Sequence, residues 1–132
     1  MVGEKELKNL LSKMSPVLIA GEFVFCSFEN AQYGDHVQLE PIGSFLEKEG
    51  LTLVVPKEKA DEHWLKYESV FRCITLNVHS SLDAVGLTSA FSTKLTEHGI
   101  SANVIAGYFH DHIFVQETLA QKALEAIHEL TQ

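Results

Sequence analysis

The phrase Leu46-Glu47-Lys48-Glu49-Gly50-Leu51-Thr52 returns in near copy as Leu95-Thr96-Glu97-His98-Gly99-Ile100-Ser101. A chain that carries one pattern twice is constrained to fold as two related small units, each burying an apolar face. Both copies read as a helix C-terminus, a glycine in the left-handed position that follows a helix, and an aliphatic residue opening a strand. The segments that follow, 51–55 and 100–108, are strand-like. Each half also begins on an apolar strand, 23–28 and 73–78, and closes on a helix, about 57–66 and 118–130. The repeat is about 50–60 residues long. A chain of 132 residues holds one ordinary domain or two very small ones. The expected boundaries are 1–68 and 69–132.

The second half is the more regular. Ile74, Leu76 and Val78 alternate with Thr75 and Asn77, as a strand with one buried face should. A polar turn follows, then a helix whose stripe is Ala84, Leu87, Phe91 and Leu95. Ser80 or Ser81 can cap that helix, and Asp83 in its first turn suits the dipole. After Gly99 comes a strand ending near Tyr108, a hairpin connection at 109–112, and a returning strand at 113–115. Thr118-Leu119-Ala120-Gln121 has the form of a capping box for the last helix. That helix would bury Ala120, Ala123 or Leu124, Ile127 and Leu130. The order is strand, helix, strand, strand, helix, so one face of an antiparallel sheet is covered by helices.

The first half departs from this. A leading helix at about 4–14 precedes its first strand. Residues 29–40 are polar, with Gly34 and Asp35, and read as a loop in place of a first helix. Only 42–49 remains helical there. No third strand is evident, and 69–71 merges with the strand that follows.

Composition removes several functions. A net charge of −8 argues against nucleic acid, whose phosphates need clustered Lys and Arg. It equally disfavours an anionic membrane surface. No run approaches the roughly 18 apolar residues of a membrane span. Charges at Glu4, Lys5, Glu6, Lys8 and Lys13 interrupt any signal-peptide core, so a cytoplasmic protein is expected. Cys26 and Cys73 lie in apolar strand-like runs and read as buried, reduced thiols.

The second half resembles an ACT domain, the small regulatory module of many amino-acid biosynthetic enzymes. The resemblance rests on the strand at 74–78, the turn with Gly86, the helix ending Glu97-His98-Gly99-Ile100, and the strand at 102–106 with Asn103. The whole chain resembles a family of stand-alone bacterial tandem ACT proteins. The phrases that carry this are Glu49-Gly50-Leu51-Thr52-Leu53, Ile74-Thr75-Leu76, Ser80-Ser81-Leu82-Asp83-Ala84-Val85-Gly86-Leu87 and Ala106-Gly107-Tyr108-Phe109-His110-Asp111-His112-Ile113-Phe114-Val115. Lysine-sensitive aspartate kinases and the cytosolic arginine sensors of animals carry similar tandem arrangements. The resemblance implies an α+β fold of two ferredoxin-like modules, βαββαβ in order, with antiparallel sheets and helices on one face. It further implies an amino-acid effector at the interface between the modules. Such a module, with no enzyme domain attached, is expected to act on a separate partner enzyme or regulator, to bind its ligand as a buffer, or to serve another role.

The turn His79, Ser80, Ser81, Leu82, Asp83, Ala84, Val85, Gly86 is the first candidate site. Backbone N–H groups at a helix start lack intrahelical partners and seat a carboxylate. Ser80 and Ser81 add hydroxyl donors. Asp83, or a strand carbonyl near Asn103, suits an ammonium, and Glu49 is a further acidic partner. The plainer account is that the serines cap the helix, Asn103 satisfies a strand edge, and Glu47 and Glu49 form a solvated face. His110 and His112 stand two apart, so a strand would point both imidazoles to one side, as a metal pair requires. His36, His63, His79, His98 or His128 would have to complete such a site, and the spacing supplies no third ligand. A polar hairpin tip explains the same residues.

No nucleophile motif, phosphate loop or cofactor signature is present. The expected protein is therefore a non-catalytic, amino-acid-binding regulator without cofactor or metal, forming a homodimer through its sheet edges. A histidine-dependent metalloprotein or small enzyme, and a dimerisation module with a vestigial site, are the alternatives.

Overall fold

The structure, a computed structural model, describes residues 2–77 and 86–131. In chain order the elements are α1 (Val2–Lys13), β1 (Pro16–Leu18), β2 (Phe23–Phe28), a 3-10 turn (Val37–Leu39), β3 (Gly43–Glu47), β4 (Gly50–Pro56), α2 (Lys57–Glu62), β5 (Phe71–Leu76), α3 (Leu87–Glu97), β6 (Asn103–Ala106), β7 (Asp111–Gln116), a second 3-10 turn (Glu117–Leu119) and α4 (Ala120–Glu129). Contacts divide the chain into two units. Unit 1 is Met1–Ala20 with Arg72–Gln132, and unit 2 is Gly21–Phe71. Residues 1–20 thus group by contact with the later half, where the sequence reading places them with the earlier one.

The reason is β1, a strand the sequence does not announce. It pairs antiparallel with β5, Val17 opposite Thr75. Ile19 N–H donating to the Cys73 carbonyl (2.9 Å) and Asn77 N–H to that of Ser15 (2.9 Å) bound it on either side. Strand order in unit 1 is β1-β5-β7-β6. Alternation sends Ile74 and Leu76 of β5, with Ile113 and Val115 of β7, to one face. There they meet Leu87, Phe91 and Leu95 of α3, Ala123 and Ile127 of α4, and Met14. Burying each large aliphatic or aromatic side chain in this cluster stabilises by about 1.5–3 kcal/mol. The expected apolar stripe of α3 is therefore present from Leu87 onward. Gly99 (φ +71) ends the helix as anticipated, with Ile100 N–H closing onto the Leu95 carbonyl at 2.9 Å.

Two helix starts differ from expectation. Among the described residues α3 begins at Leu87 with Gly86 as its N-cap, in the left-handed region at φ +98. Ser80 and Ser81 lie outside the described residues. The capping box at Thr118 does not form. Thr118 lies in the 3-10 turn, and Leu119 precedes α4 without a side-chain cap bond.

Unit 2 orders its strands β3-β4-β2, antiparallel, and Phe71 at the start of β5 pairs with Phe23. The merging of 69–71 into the following strand is thus seen at Phe71. Val24, Cys26, Leu51, Leu53 and Val55 form the core face with Ala60 of α2, Ala31 and Leu39. Residues 42–49 are not helical. They are β3 and a tight hairpin, with Glu47 opposite Gly50. The spacing of Ile42, Phe45 and Leu46 imitates a helical stripe, but the three side chains are exposed, Phe45 by 72%, so no face is buried. Gly50 is needed at the hairpin, because a Cβ there would lie 2.7 Å from the Phe28 carbonyl oxygen. The helix expected over 57–66 stops at Glu62. Trp64 takes a left-handed conformation (φ +57), and Leu65 N–H returns to the Ala60 carbonyl at 2.9 Å.

Candidate functional site

Unit 2 lacks the helix that normally follows a first strand in a βαββαβ fold. Residues 29–42 replace it with a loop whose only regular element is the turn Val37–Leu39. A loop without a helical ladder must be fixed by other means. Leu39 reaches into the core and is 1% exposed. The His36 ring stacks on Phe28, centroids 4.0 Å apart. Asp35 Oδ2 accepts the Gln32 N–H at 2.8 Å, and Asp35 N–H donates to the Gln32 carbonyl at 2.9 Å. Lys59 Nζ lies 3.6 Å from Glu40 Oε2. These restraints hold Asn30, Gly34, His36 and Glu40 at positive φ. For the three that are not glycine this costs about 1–2 kcal/mol each. Such outliers persist where the surroundings over-determine the backbone, and they gather at functional sites.

A hollow of about 440 Å³ lies between the loop and the β3-β4 hairpin. Tyr33, Gly34, Asp35 and Val37 line it from the loop; Pro41, Ile42, Gly43 and Ser44 line it from the entry to β3; Leu51 and Leu53 of β4 complete it. Pockets of roughly 300–1,000 Å³ hold small organic ligands. Among the described lining residues Asp35 is the one acidic side chain, and none is basic. The polar stretch around Gly34 and Asp35 marks the missing helix in the sequence but does not by itself mark a site. The signal was present as a glycine and an acid in a polar stretch; that a cavity lies beside it depends on β3, which was read as a helix.

The residues singled out from sequence are distributed as follows. His79, Ser80, Ser81, Leu82, Asp83, Ala84 and Val85 lie outside the described residues. Gly86 borders them, and a Cβ there would approach Leu7 Cδ2 to 3.2 Å, so glycine lets α1 and the start of α3 meet closely. Asn103 opens β6, the outer strand of the sheet in unit 1, and its side chain is exposed. Its Nδ2 donates to the carbonyl of its cross-strand partner Phe114 at 3.2 Å, which leaves Oδ1 as an acceptor. Glu49 is exposed at the tip of the β3-β4 hairpin, and Thr52 Oγ1 donates to the neighbouring Glu47 carboxylate.

His110 and His112 flank Asp111 at the start of β7, after a turn closed by Gly107 N–H on the His110 carbonyl at 2.9 Å. His112 shares a hydrogen bond through Nδ1 with Thr75 Oγ1 at 2.9 Å. Burial, and then the neighbouring His110, push its pKa below the ordinary histidine value; Asp111 opposes this. Among the described residues no three His, Cys, Asp or Glu side chains are grouped to hold a metal. Cys26 and Cys73 are free and buried, and burial pushes both thiols up. The described residues contain no helix long and apolar enough to cross a membrane.

Known proteins bear on this geometry. Models of the ACT domain match residues 2–72 and 68–129. A solved protein of unknown function from Vibrio cholerae, described as a possible transport protein, is 58% identical, with a TM-score of 0.89, covering 98% of this chain and 99% of that one. A protein from Agrobacterium tumefaciens shares the fold at 12% identity and a TM-score of 0.73, covering 89% of each chain. The regulatory subunit of aspartate kinase from Thermus thermophilus, in its ligand-free form, shares it at 10% identity and a TM-score of 0.67, covering 92% of this chain and 99% of that one. No curated protein matches the chain.

Proposed function

The chain belongs to the ACT-domain family, and from that membership we propose that it is a regulator that binds an amino acid and performs no chemistry of its own. Its place in a family of regulatory, small-molecule-binding modules supports the reading. The observation that carries it is one of extent. The Thermus thermophilus chain that this protein matches over 92% of its own length is by itself a regulatory subunit. A two-module chain of this size can therefore act on a separate protein.

The proposed effector seat is the turn 79–86. The ligand carboxylate takes N–H groups at the turn and the hydroxyls of Ser80 and Ser81. Its ammonium pairs with Asp83 and with the free Oδ1 of Asn103 in the proposal. Gly86 supports the seat because its left-handed backbone aims the chain into α3 without a side chain in the way. The regulator is proposed to be cytoplasmic and to work as a homodimer.

A thermal-shift screen with the standard amino acids, each at millimolar concentration, tests this reading. A ligand that binds only the native state at about 100 times its Kd adds about 2.7 kcal/mol. For a chain of this size that raises Tm by several degrees. The expected result is one such shift, lost in Ser81→Ala and Asp83→Ala. A flat panel overturns the proposal.

A further inference from the structure

The hollow in unit 2 has a chemistry of its own, separate from the effector seat and independent of it. Its volume of about 440 Å³ suits a small organic molecule. Its apolar lining includes Val37, Ile42, Leu51 and Leu53, and its polar lining includes Ser44 and Asp35. Asp35 commits Oδ2 to the Gln32 N–H, which fixes where the carboxylate stands. Among the described residues no lysine, arginine or histidine lines the cavity. An anionic ligand would meet Asp35 without a cationic side chain to offset it, in a protein of net charge −8. A zwitterionic amino acid can set its ammonium on Asp35, but its carboxylate then finds no cationic side chain among the described lining residues. A ligand with a positive head and an apolar body meets no such penalty. Tyr33, 86% exposed and two residues before Asp35, adds an aromatic face suited to an ammonium group.

We propose that this hollow is a binding site for a small organic ammonium ion carrying an apolar body. The ammonium is held beside Asp35 and Tyr33, and the apolar part rests against Val37, Ile42 and Leu53. Gly34, in the left-handed region, lies in the wall, and the buried Leu39 anchors the loop that carries it.

The test is a titration of the ¹⁵N-labelled full chain with 2-phenylethylamine, which is protonated at pH 7. The matched controls are 2-phenylethanol, neutral, and phenylacetate, anionic. The expected result is saturable movement of the Gly34, Asp35, Gly43 and Ser44 amides. The amine should bind at least about threefold more tightly than the alcohol, the scale of a solvent-accessible charge pair. Asp35→Asn keeps an oxygen for the Gln32 N–H and should erase that preference. The comparison of amine with alcohol on the unaltered chain needs no variant, so it decides the matter even if Asp35→Asn misfolds. The proposal is overturned if the amine moves none of these amides at millimolar concentration, or if alcohol or phenylacetate binds as well. It is equally overturned if the preference survives in a folded Asp35→Asn chain. Because 2-phenylethylamine lacks a carboxylate, its binding and the amino-acid screen fail or succeed separately.

Discussion

Replacing Leu39 by alanine should unpin the loop that stands where unit 2 lacks a helix. Leu39 is 1% exposed and sits in the cluster of Val24, Leu51, Leu53 and Ala60. Truncating a leucine so placed removes its transfer energy and leaves a cavity, which together cost about 2–5 kcal/mol. Two neighbours temper this. His36 and Glu40 flank the turn at φ +65 and +53, and a loosened loop releases part of the roughly 1–2 kcal/mol each holds. The expected loss is therefore near the lower end, about 2–3 kcal/mol. With a urea slope of about 2 kcal/mol per molar, the unfolding midpoint moves down by about 1 M. Far-UV circular dichroism in urea measures it. Val37→Ala, two residues away and 66% exposed, is the internal control, expected within about 0.5 kcal/mol of the parent. A loss below that for Leu39→Ala, or equal losses for the two, would refute the claim that Leu39 anchors the loop.

Gly50→Ala should cost more than about 2 kcal/mol, because backbone strain at φ +152 is joined by a Cβ that meets the Phe28 backbone at 2.7 Å. Gly34→Ala, with open space around its Cβ but φ +97, should lose only the backbone strain of about 1–2 kcal/mol; equal urea midpoints for the two variants would contradict this. His112 holds its proton less readily folded than unfolded, so the unfolded chain binds more protons. Stability should accordingly fall as pH drops through the ordinary histidine value near 6.5, and His112→Gln should flatten that slope in melts taken across the range. Cys26 and Cys73, buried with thiols pushed up, should react with iodoacetamide far more slowly in the native chain than in the denatured one; prompt native labelling would count against their burial.

What the sequence discloses follows from which residues are buried on one face. Strand β2 is legible at its true bounds, 23–28, because its apolar run is bounded by polar residues. The stripe Leu87, Phe91, Leu95 is legible because all three side chains enter the core. Strand β3 is not, because an edge strand with exposed Phe45 and Leu46 has no buried face to impose an alternating pattern. Strand β1 is three residues beginning with proline, too short for any periodicity, and its meaning lies in its pairing with β5 across the chain. The same limit governs the candidate sites. Gly86 and Asn103 could be named from local chemistry, and Asn103 proved to be engaged with its cross-strand neighbour. The hollow beside Asp35 could not be named, since it exists only where a loop and a distant hairpin leave space.

Isothermal titration of the full chain with each standard amino acid tests the regulatory reading most directly. The account predicts one amino acid giving a saturable isotherm with a Kd at or below the millimolar range, abolished by Ser81→Ala and weakened by Asn103→Ala. Heats of dilution alone from every amino acid, in a chain shown to be folded, would contradict it.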